Sequence, residues 1–515
     1  MSLPGKCQVL VVGGGPAGSY TASVLGREGI DTVLVEMEHH PRYHIGESLL
    51  PSFRHYLKFI DLDKTFDSYG FTVKLGAAFK MNPTNREGWT DFLAAGGPDN
   101  YSWNVIRSEA DEIMFRHAAK SGAKTFEGIK ISSVEFDQSD ATNGDSELPG
   151  RPVSAAWTNK SEGTSGVIHF DYIVDATGRA GLLNTKYLKN RHYNKALKNV
   201  ANWAYFKGGG MYGSGTSREN SPFFEALRDE SGWAWLIPLH DGTHSIGVVM
   251  NQEIANKKKK SYSSTEEFYT ESLKQAPTLL GLLGQGERVT PVKAASDYSY
   301  HSSSYAFPYA RIVGDAGCFI DPFFSSGVHL AGTGGLSAGT TIAASIRGDV
   351  DEATAANWHS NKIKHGYARF LLVVLSAYKQ MRNQDQSVLA DYGEDNFDRA
   401  FSFFKPVIQG TADATGKLTQ SEFSKTIEFL NRAFRPVFDP PTNGAANGTN
   451  GENTARPKDI QEELTAEDLE ALQALRKYHS RDGEGLENFT TDVIDGLVPR
   501  LETTRLTLVP ATQKA

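Results

Sequence analysis

A glycine turn close to the N-terminus constrains this chain more than any other feature. Gly13-Gly14-Gly15-Pro16-Ala17-Gly18 satisfies G-x-G-x-x-G. A β-branched run, Gln8 to Val12, precedes it; an amphipathic stretch from Ala17 to Gly29 and a second extended run, Thr32 to Glu36, follow. That order predicts strand, turn, helix, strand, the opening unit of a doubly wound α/β sheet. Each glycine has a physical reason: Gly13 for the tight turn, Gly15 for backbone approach to a pyrophosphate, Gly18 for close helix–sheet packing. The helix start offers free N–H groups and the positive end of a dipole. Glu36, 23 positions after Gly13, stands where a carboxylate accepts from ribose hydroxyls. The pattern predicts a dinucleotide site holding Gly13, Gly14, Gly15, Ala17, Gly18 and Glu36.

Two later segments return to that sheet. Tyr172-Ile173-Val174 ends in Asp175-Ala176-Thr177-Gly178-Arg179, and Ala310 to Val313 ends in Gly314-Asp315-Ala316-Gly317. The second resembles the flavin fingerprint in which an aspartate takes ribityl hydroxyls, and the first resembles the segment closing over the adenosine half. Arg107, in Ile106-Arg107-Ser108-Glu109, resembles the arginine-bearing helix start of flavoprotein aromatic hydroxylases. Together they imply FAD rather than NAD. Between them, about residues 190–300, the pattern turns antiparallel: Trp233 to Leu239 and His244 to Met250 flank the hairpin turn Asp241-Gly242. We therefore expect an FAD-binding module over 1–350 with a substrate-side sheet inserted at about 190–300. A helical C-terminal region over 351–515 follows, interrupted at 439–458 by a Pro/Asn/Gly/Thr-rich linker, with a helical stretch around Ile460 to Tyr478 after it. Phe370 to Leu375 is too short an apolar run to span a bilayer, and no signal-peptide pattern precedes the first strand. A net charge of -8 argues against nucleic acid and anionic membrane as partners, and two cysteines, Cys7 and Cys318, fit a reducing, cytoplasmic setting.

Four local patterns then resemble the flavin-dependent halogenases, above all the fungal enzymes that chlorinate phenolic polyketides such as resorcylic acid lactones. Trp233-Ala234-Trp235-Leu236-Ile237-Pro238 matches W-x-W-x-I-P. On a strand both indoles point to one face, and the resemblance implies a wall that keeps substrate off the flavin. In Phe319 to Leu330, Ser326 and Gly327 match the pair whose backbone N–H groups approach a halide, and Val328 then leads into a Gly/Ala-rich helix expected to come close to the flavin ring. Lys74 matches the lysine that receives hypohalous acid. Arg42-Tyr43-His44-Ile45-Gly46-Glu47-Ser48 matches the loop beside the flavin, with Glu47 and Ser48 facing it and Arg42 bracing the loop.

One departure narrows the substrate. The tryptophan-halogenating branch carries a glutamate two residues before the Ser/Thr of the halide pair; here that position is Phe324. A phenol, activated by its own oxygen, needs no such carboxylate. The resemblance thus implies an enzyme using FADH2, dioxygen and chloride or bromide, with Lys74 as catalytic residue and a cavity lined by the inserted sheet and by helices near Phe370 to Tyr378. Gly281 to Gly286 follows no strand, so reduced flavin is expected from a separate reductase by diffusion. Two alternatives stay open on the same frame: a single-component aromatic hydroxylase and a non-catalytic FAD-binding protein. Lys257 to Lys260 reads as a solvated run, and His240 with His244 lacks the companions of a metal site.

Overall fold

The structure, a computed structural model, describes residues 2–84, 86–137, 149–382, 384, 489, 492–502 and 505–511. Four parallel strands make its centre. Lys6–Val12 lies between Thr32–Val35 and Thr164–Asp175, and Ala310–Ile312 lies beyond the latter. Their register brings Val12, Val35, Asp175 and Ile312 level. The glycine turn, Glu36, Ala176 and Val313 therefore all leave the sheet from one edge, where the chain order reverses. That crevice is where open α/β sheets bind ligands. The strands read as continuous apolar runs because both faces are covered: Val9, Val11 and Val33 are fully buried.

One cover is a pair of packed helices, Pro16–Arg27 and Ser326–Arg347. The Gly/Ala content of the second has a use in packing. A Cβ on Gly339 would lie 2.5 Å from Val24, and one on Gly335 3.0 Å from the Ala17 carbonyl. Those glycines let two helices touch.

The second sheet is antiparallel where the sequence predicts it, through Arg191–Lys207, Phe223–Ala226, Gly232–Pro238, Thr243–Asn251 and Lys293–Ser302. It also recruits two strands from well upstream. Gly76–Lys80 joins parallel to Phe223–Ala226, and Gly88–Asp91 pairs with Gly76–Lys80. The pairing with Phe223–Ala226 leaves no local turn signal, since those partners are over a hundred residues apart in sequence. Side chains alternate across this sheet: Ala234, Leu236, Ile246 and Val248 face the helices Thr265–Leu273 and Pro277–Leu283, while Trp233, Trp235 and Ile237 face the segment from Cys318 to Phe324 and the long helix Glu352–Met381.

Beyond residue 351 the long helix Glu352–Met381 fits the expected helical region. The end of the chain does not. Leu497–Glu502 and Arg505–Pro510 form a β-hairpin whose Leu506 and Leu508 are buried in the main core. Alternation within Leu506-Thr507-Leu508 signals this strand, but six residues give too short a window to outweigh the helical pattern before it. The expected linker at 439–458 and the stretch from Ile460 to Tyr478 lie outside the described residues. Among the described residues no helix is long and apolar enough to cross a membrane.

Candidate functional site

A cavity of about 750 Å³ runs from the carboxyl edge of the first sheet to the indole face of the second. At the sheet end Gly13 takes φ +109°, and a Cβ there would lie 2.2 Å from the Ala176 carbonyl oxygen. Gly18 would place one 1.9 Å from the Gly13 carbonyl oxygen, whereas Gly15 opens onto the cavity. Gly13, Gly15 and Ala17 line the cavity. Gly14 and Gly18 shape the turn instead: the Gly14 N–H donates to Glu36 Oε2 at 2.7 Å. Glu36 Oε1 accepts from the Glu38 N–H at 3.0 Å, which fixes the carboxylate with lone pairs left over.

Arg42 and Arg107 share one buried acid. Asp111 Oδ2 accepts from Arg42 Nη1 at 3.1 Å, and Asp111 Oδ1 from Arg107 Nε at 2.9 Å. Arg107 Nη1 also donates to the Ile45 carbonyl at 2.9 Å, so the helix start Arg107 braces the loop from residue 42 to residue 48. His44 in that loop is held at about 4, by the Arg107 charge first and by burial second, and is therefore neutral at pH 7. Asp315 lies in the 3₁₀ turn after the last parallel strand, and burial raises its pKa.

At the other end Trp233 and Trp235 stand on one strand face with ring centroids 5.8 Å apart. Both line the cavity. Trp233 Nε1 donates to the Tyr378 hydroxyl at 2.9 Å; that hydroxyl donates to the buried Asp321 at 2.6 Å, and Trp235 Nε1 donates to Ser245 Oγ at 3.1 Å. Both indoles are thus pinned. Sequence reasoning placed Tyr378 near the substrate; its role as an indole anchor is read from the fold.

The loop after Asp321 turns sharply, with Ser325 at φ +57°, and the 22-residue helix begins at Ser326. The first N–H groups of a helix have no intrahelical acceptor. Gly327 and Val328 line the cavity, as does Ser325; Ser326 does not, and its hydroxyl is buried without a partner among the described residues. Phe324 packs among Phe323 and Phe79 at 4.8 and 5.3 Å between centroids.

Lys74 lies one layer behind the cavity wall. It is 1% exposed and donates to Ser48 Oγ and to the Leu49 carbonyl, each at 2.8 Å. Ser48 lines the cavity and also accepts from Ser325 Oγ at 3.1 Å. Lys74 therefore meets the flavin-side loop and the helix-start loop through a single hydroxyl. Burial alone pulls its pKa to about 7.

Glu47 has an unforeseen neighbour. Its Oε1 accepts from the Tyr205 hydroxyl at 2.5 Å, while Oε2 is buried without a partner among the described residues. Tyr205 lies 158 positions away, so nothing local in the sequence announces the pair.

The residues present fit FAD in physical terms. A glycine cradle and helix start lie at one end, a fixed ribose-height carboxylate and an aspartate turn line the middle, and a broad aromatic chamber closes the other end.

The chain matches the tryptophan halogenase family over residues 8–97 and 94–396. It is 58% identical to a flavin-dependent halogenase (ascD) of Acremonium egyptiacum over 97% of this chain and 92% of that one. It is 50% identical to the sulochrin halogenase (gedL) of Aspergillus terreus over 99% of this chain and 94% of that one. Among solved structures, the myxobacterial chondrochloren halogenase CndH superposes with a TM-score of 0.65 at 27% identity, over 84% of this chain and 97% of that one.

Proposed function

We propose, for a chain that belongs to the family of flavin-dependent halogenases, that it oxidises chloride or bromide and halogenates a phenolic aromatic natural product of the polyketide type. FAD would be held by Gly13, Gly15, Ala17, Glu36, Arg42, Glu47, Ser48, Arg107, Asp315 and Val328, with Gly14 and Gly18 shaping the turn. When bound in reduced form it supplies, with dioxygen, the two-electron oxidant that turns halide into hypohalous acid. The observation that carries the reading is Lys74: a buried amine joined to the cavity wall by one hydroxyl.

The chain's own residues divide the work. N–H groups at the helix start, of Gly327 in the cavity wall and of the adjoining Ser326, hold the halide. The Trp233/Trp235 wall keeps an aromatic substrate out of the flavin chamber. Lys74 takes the hypohalous acid, by hydrogen bond or as a haloamine: nitrogen bonds halogen, and water leaves with the amine proton. In the second case the substrate ring attacks the halogen, the N–X bond breaks toward nitrogen, and the amine regains a proton. A pKa near 7 leaves much of the amine neutral at physiological pH, as this chemistry needs.

The phenolic class is supported by Phe324, set among Phe79 and Phe323, where a free indole substrate would call for a carboxylate. The relative named a sulochrin halogenase agrees in class. Reduced flavin would come from a separate reductase. Gly281 and Gly284 sit on and just after the helix Pro277–Leu283 and follow no strand, so they build no second nucleotide loop.

The test is mass spectrometry of products from the purified protein with FAD, a flavin reductase, NADH, bromide and a resorcylic probe. A bromine isotope doublet, reduced at least about a hundredfold in Lys74→Ala while FAD binding persists, is the expected result. Hydroxylated product without halogen would instead point to a monooxygenase.

A further inference from the structure

Making hypohalous acid consumes a proton. Reduced flavin, dioxygen, halide and one proton balance to oxidised flavin, hypohalous acid and water. The proton must reach a chamber walled by indoles. We propose that Glu47, Tyr205 and Tyr43 form the path by which this proton enters from solvent, with Glu47 presenting it to the cavity. The inference rests on the function proposed above.

The geometry is a directed chain. Trp203 Nε1 donates to the Tyr43 hydroxyl oxygen at 2.7 Å, which leaves the Tyr43 proton free to point elsewhere. The Tyr43 and Tyr205 hydroxyls are 3.0 Å apart. Tyr205 donates in turn to Glu47 Oε1 at 2.5 Å. With Trp203 fixing the first oxygen as acceptor, both hydroxyl protons point inward, toward the carboxylate. The two ends differ in burial: Tyr43, at the cavity wall, is 50% exposed, whereas Glu47, also in that wall, is 3% exposed with Oε2 unpartnered among the described residues. Burying a carboxylate oxygen without a partner is costly.

The line is also held in place. Trp203 and Tyr205 are two apart on the strand Arg191–Lys207 and share a face. The Glu47 carbonyl accepts from the Val105 N–H at 2.7 Å, and the Tyr205 N–H donates to Thr290 Oγ1 at 3.0 Å. Around Glu47 stand the Arg107 cation, the Asp241 anion and the Ser245 hydroxyl, and around Tyr43 the Lys293 cation, 4.2 Å above its ring. Burial, partly offset by the Tyr205 bond, brings Glu47 to about 7, so it both holds and yields a proton near neutrality.

The experiment uses the full chain loaded with FAD and the variants Glu47→Gln, Tyr205→Phe and Tyr43→Phe. In the resting oxidised protein, infrared titration should show a carboxylic acid that ionises near neutrality. It should be absent in Glu47→Gln and shifted to higher pH in Tyr205→Phe, which no longer stabilises the carboxylate. In turnover, rates are followed as flavin reoxidation and as bromide trapped by a β-diketone. Tyr205→Phe and Tyr43→Phe should lose at least about tenfold on the alkaline side of neutrality, with a larger solvent deuterium effect and recovery on adding imidazolium. FAD affinity should stay within about twofold of the parent, since neither change alters the glycine cradle.

Parent-like reoxidation at every pH in both tyrosine variants would overturn the path. So would losses that weak acid does not restore and that track FAD affinity, because these mark a scaffold. A parent protein that yields no trapped bromine refutes the halogenase reading. The path is then judged separately, on the ratio of variant to parent in flavin reoxidation.

Discussion

Among the described residues Lys74 has no charged partner to offset its burial, and hydrogen bonds to a hydroxyl and a carbonyl compensate its charge incompletely. The fold thus spends stability to keep an amine in this place. The sign of the consequence follows from proton counting. An unfolded lysine keeps its proton to near 10.5, the folded one to about 7. Between those values the unfolded chain binds more protons, so stability rises with pH there by up to about 1.4 kcal/mol per unit. In Lys74→Met that contribution disappears. Denaturant unfolding at about pH 7.5 and about pH 9.5 should show a steeper gain for the parent than for the variant; equal gains would mean the amine is solvated. Residue type alone pointed the other way, since lysines are mostly exposed, and it took position within a resembling pattern to single out Lys74. Burial at the end of a strand in a two-stranded ribbon (Thr72–Lys74 against Ser102–Asn104) is what the sequence could not display.

At the scale of strands and helices, the glycines separate packing from chemistry. Gly247 sits opposite Trp235 on the neighbouring strand, and a Cβ there would lie 2.2 Å from the indole. Gly247→Ala should therefore push Trp235 off its place in the chamber wall, at a cost of about 1–3 kcal/mol, and weaken FAD binding in a fluorescence titration. Unchanged FAD affinity would show the indole to be more tolerant than its surroundings suggest. Gly327 is the opposite case: a Cβ there meets nothing within 4 Å and the residue lies in the first turn of a helix. Gly327→Ala should keep or slightly raise thermal stability, as alanine is the better helix former. The added methyl crowds the proposed halide position, so the bromide KM should rise several-fold with FAD affinity intact. Alternation made the Trp233/Trp235 face legible from the sequence, and the glycine spacing did the same for the first turn. The recruitment of Gly76–Lys80 into the second sheet was not legible, because parallel pairing across such a separation is decided by tertiary packing.

The whole molecule assembles its site from segments between Val12 and Ala331, and the helix Ser326–Arg347 ties the ensemble together. Its first turn lines the cavity; its last turn, at the other end of a 22-residue helix about 33 Å long, is clasped by the C-terminal hairpin. There Arg347 donates to the Leu506 carbonyl, and Glu28 accepts from the Leu506 N–H at 3.0 Å and from Arg347 Nη1 at 2.6 Å. Leu506 itself is 1% exposed and packs near Gly339, where the two helices touch. The widely spaced returns to the first sheet were readable because each ends in a glycine or aspartate turn. The hairpin was not, since its anchors are side chains near the two helix ends rather than its own pattern. Leu506→Ala should cost about 2–5 kcal/mol, the usual toll for emptying a buried leucine site. Because the helix is packed along its whole length and the loss falls at the far end, FAD affinity and bromide KM should match the parent wherever the variant is folded. Denaturant unfolding and a flavin titration on the same preparation decide it. A folded Leu506→Ala protein with weakened FAD binding would show that the hairpin sets the position of the helix start, and that the cavity depends on the chain's last strand.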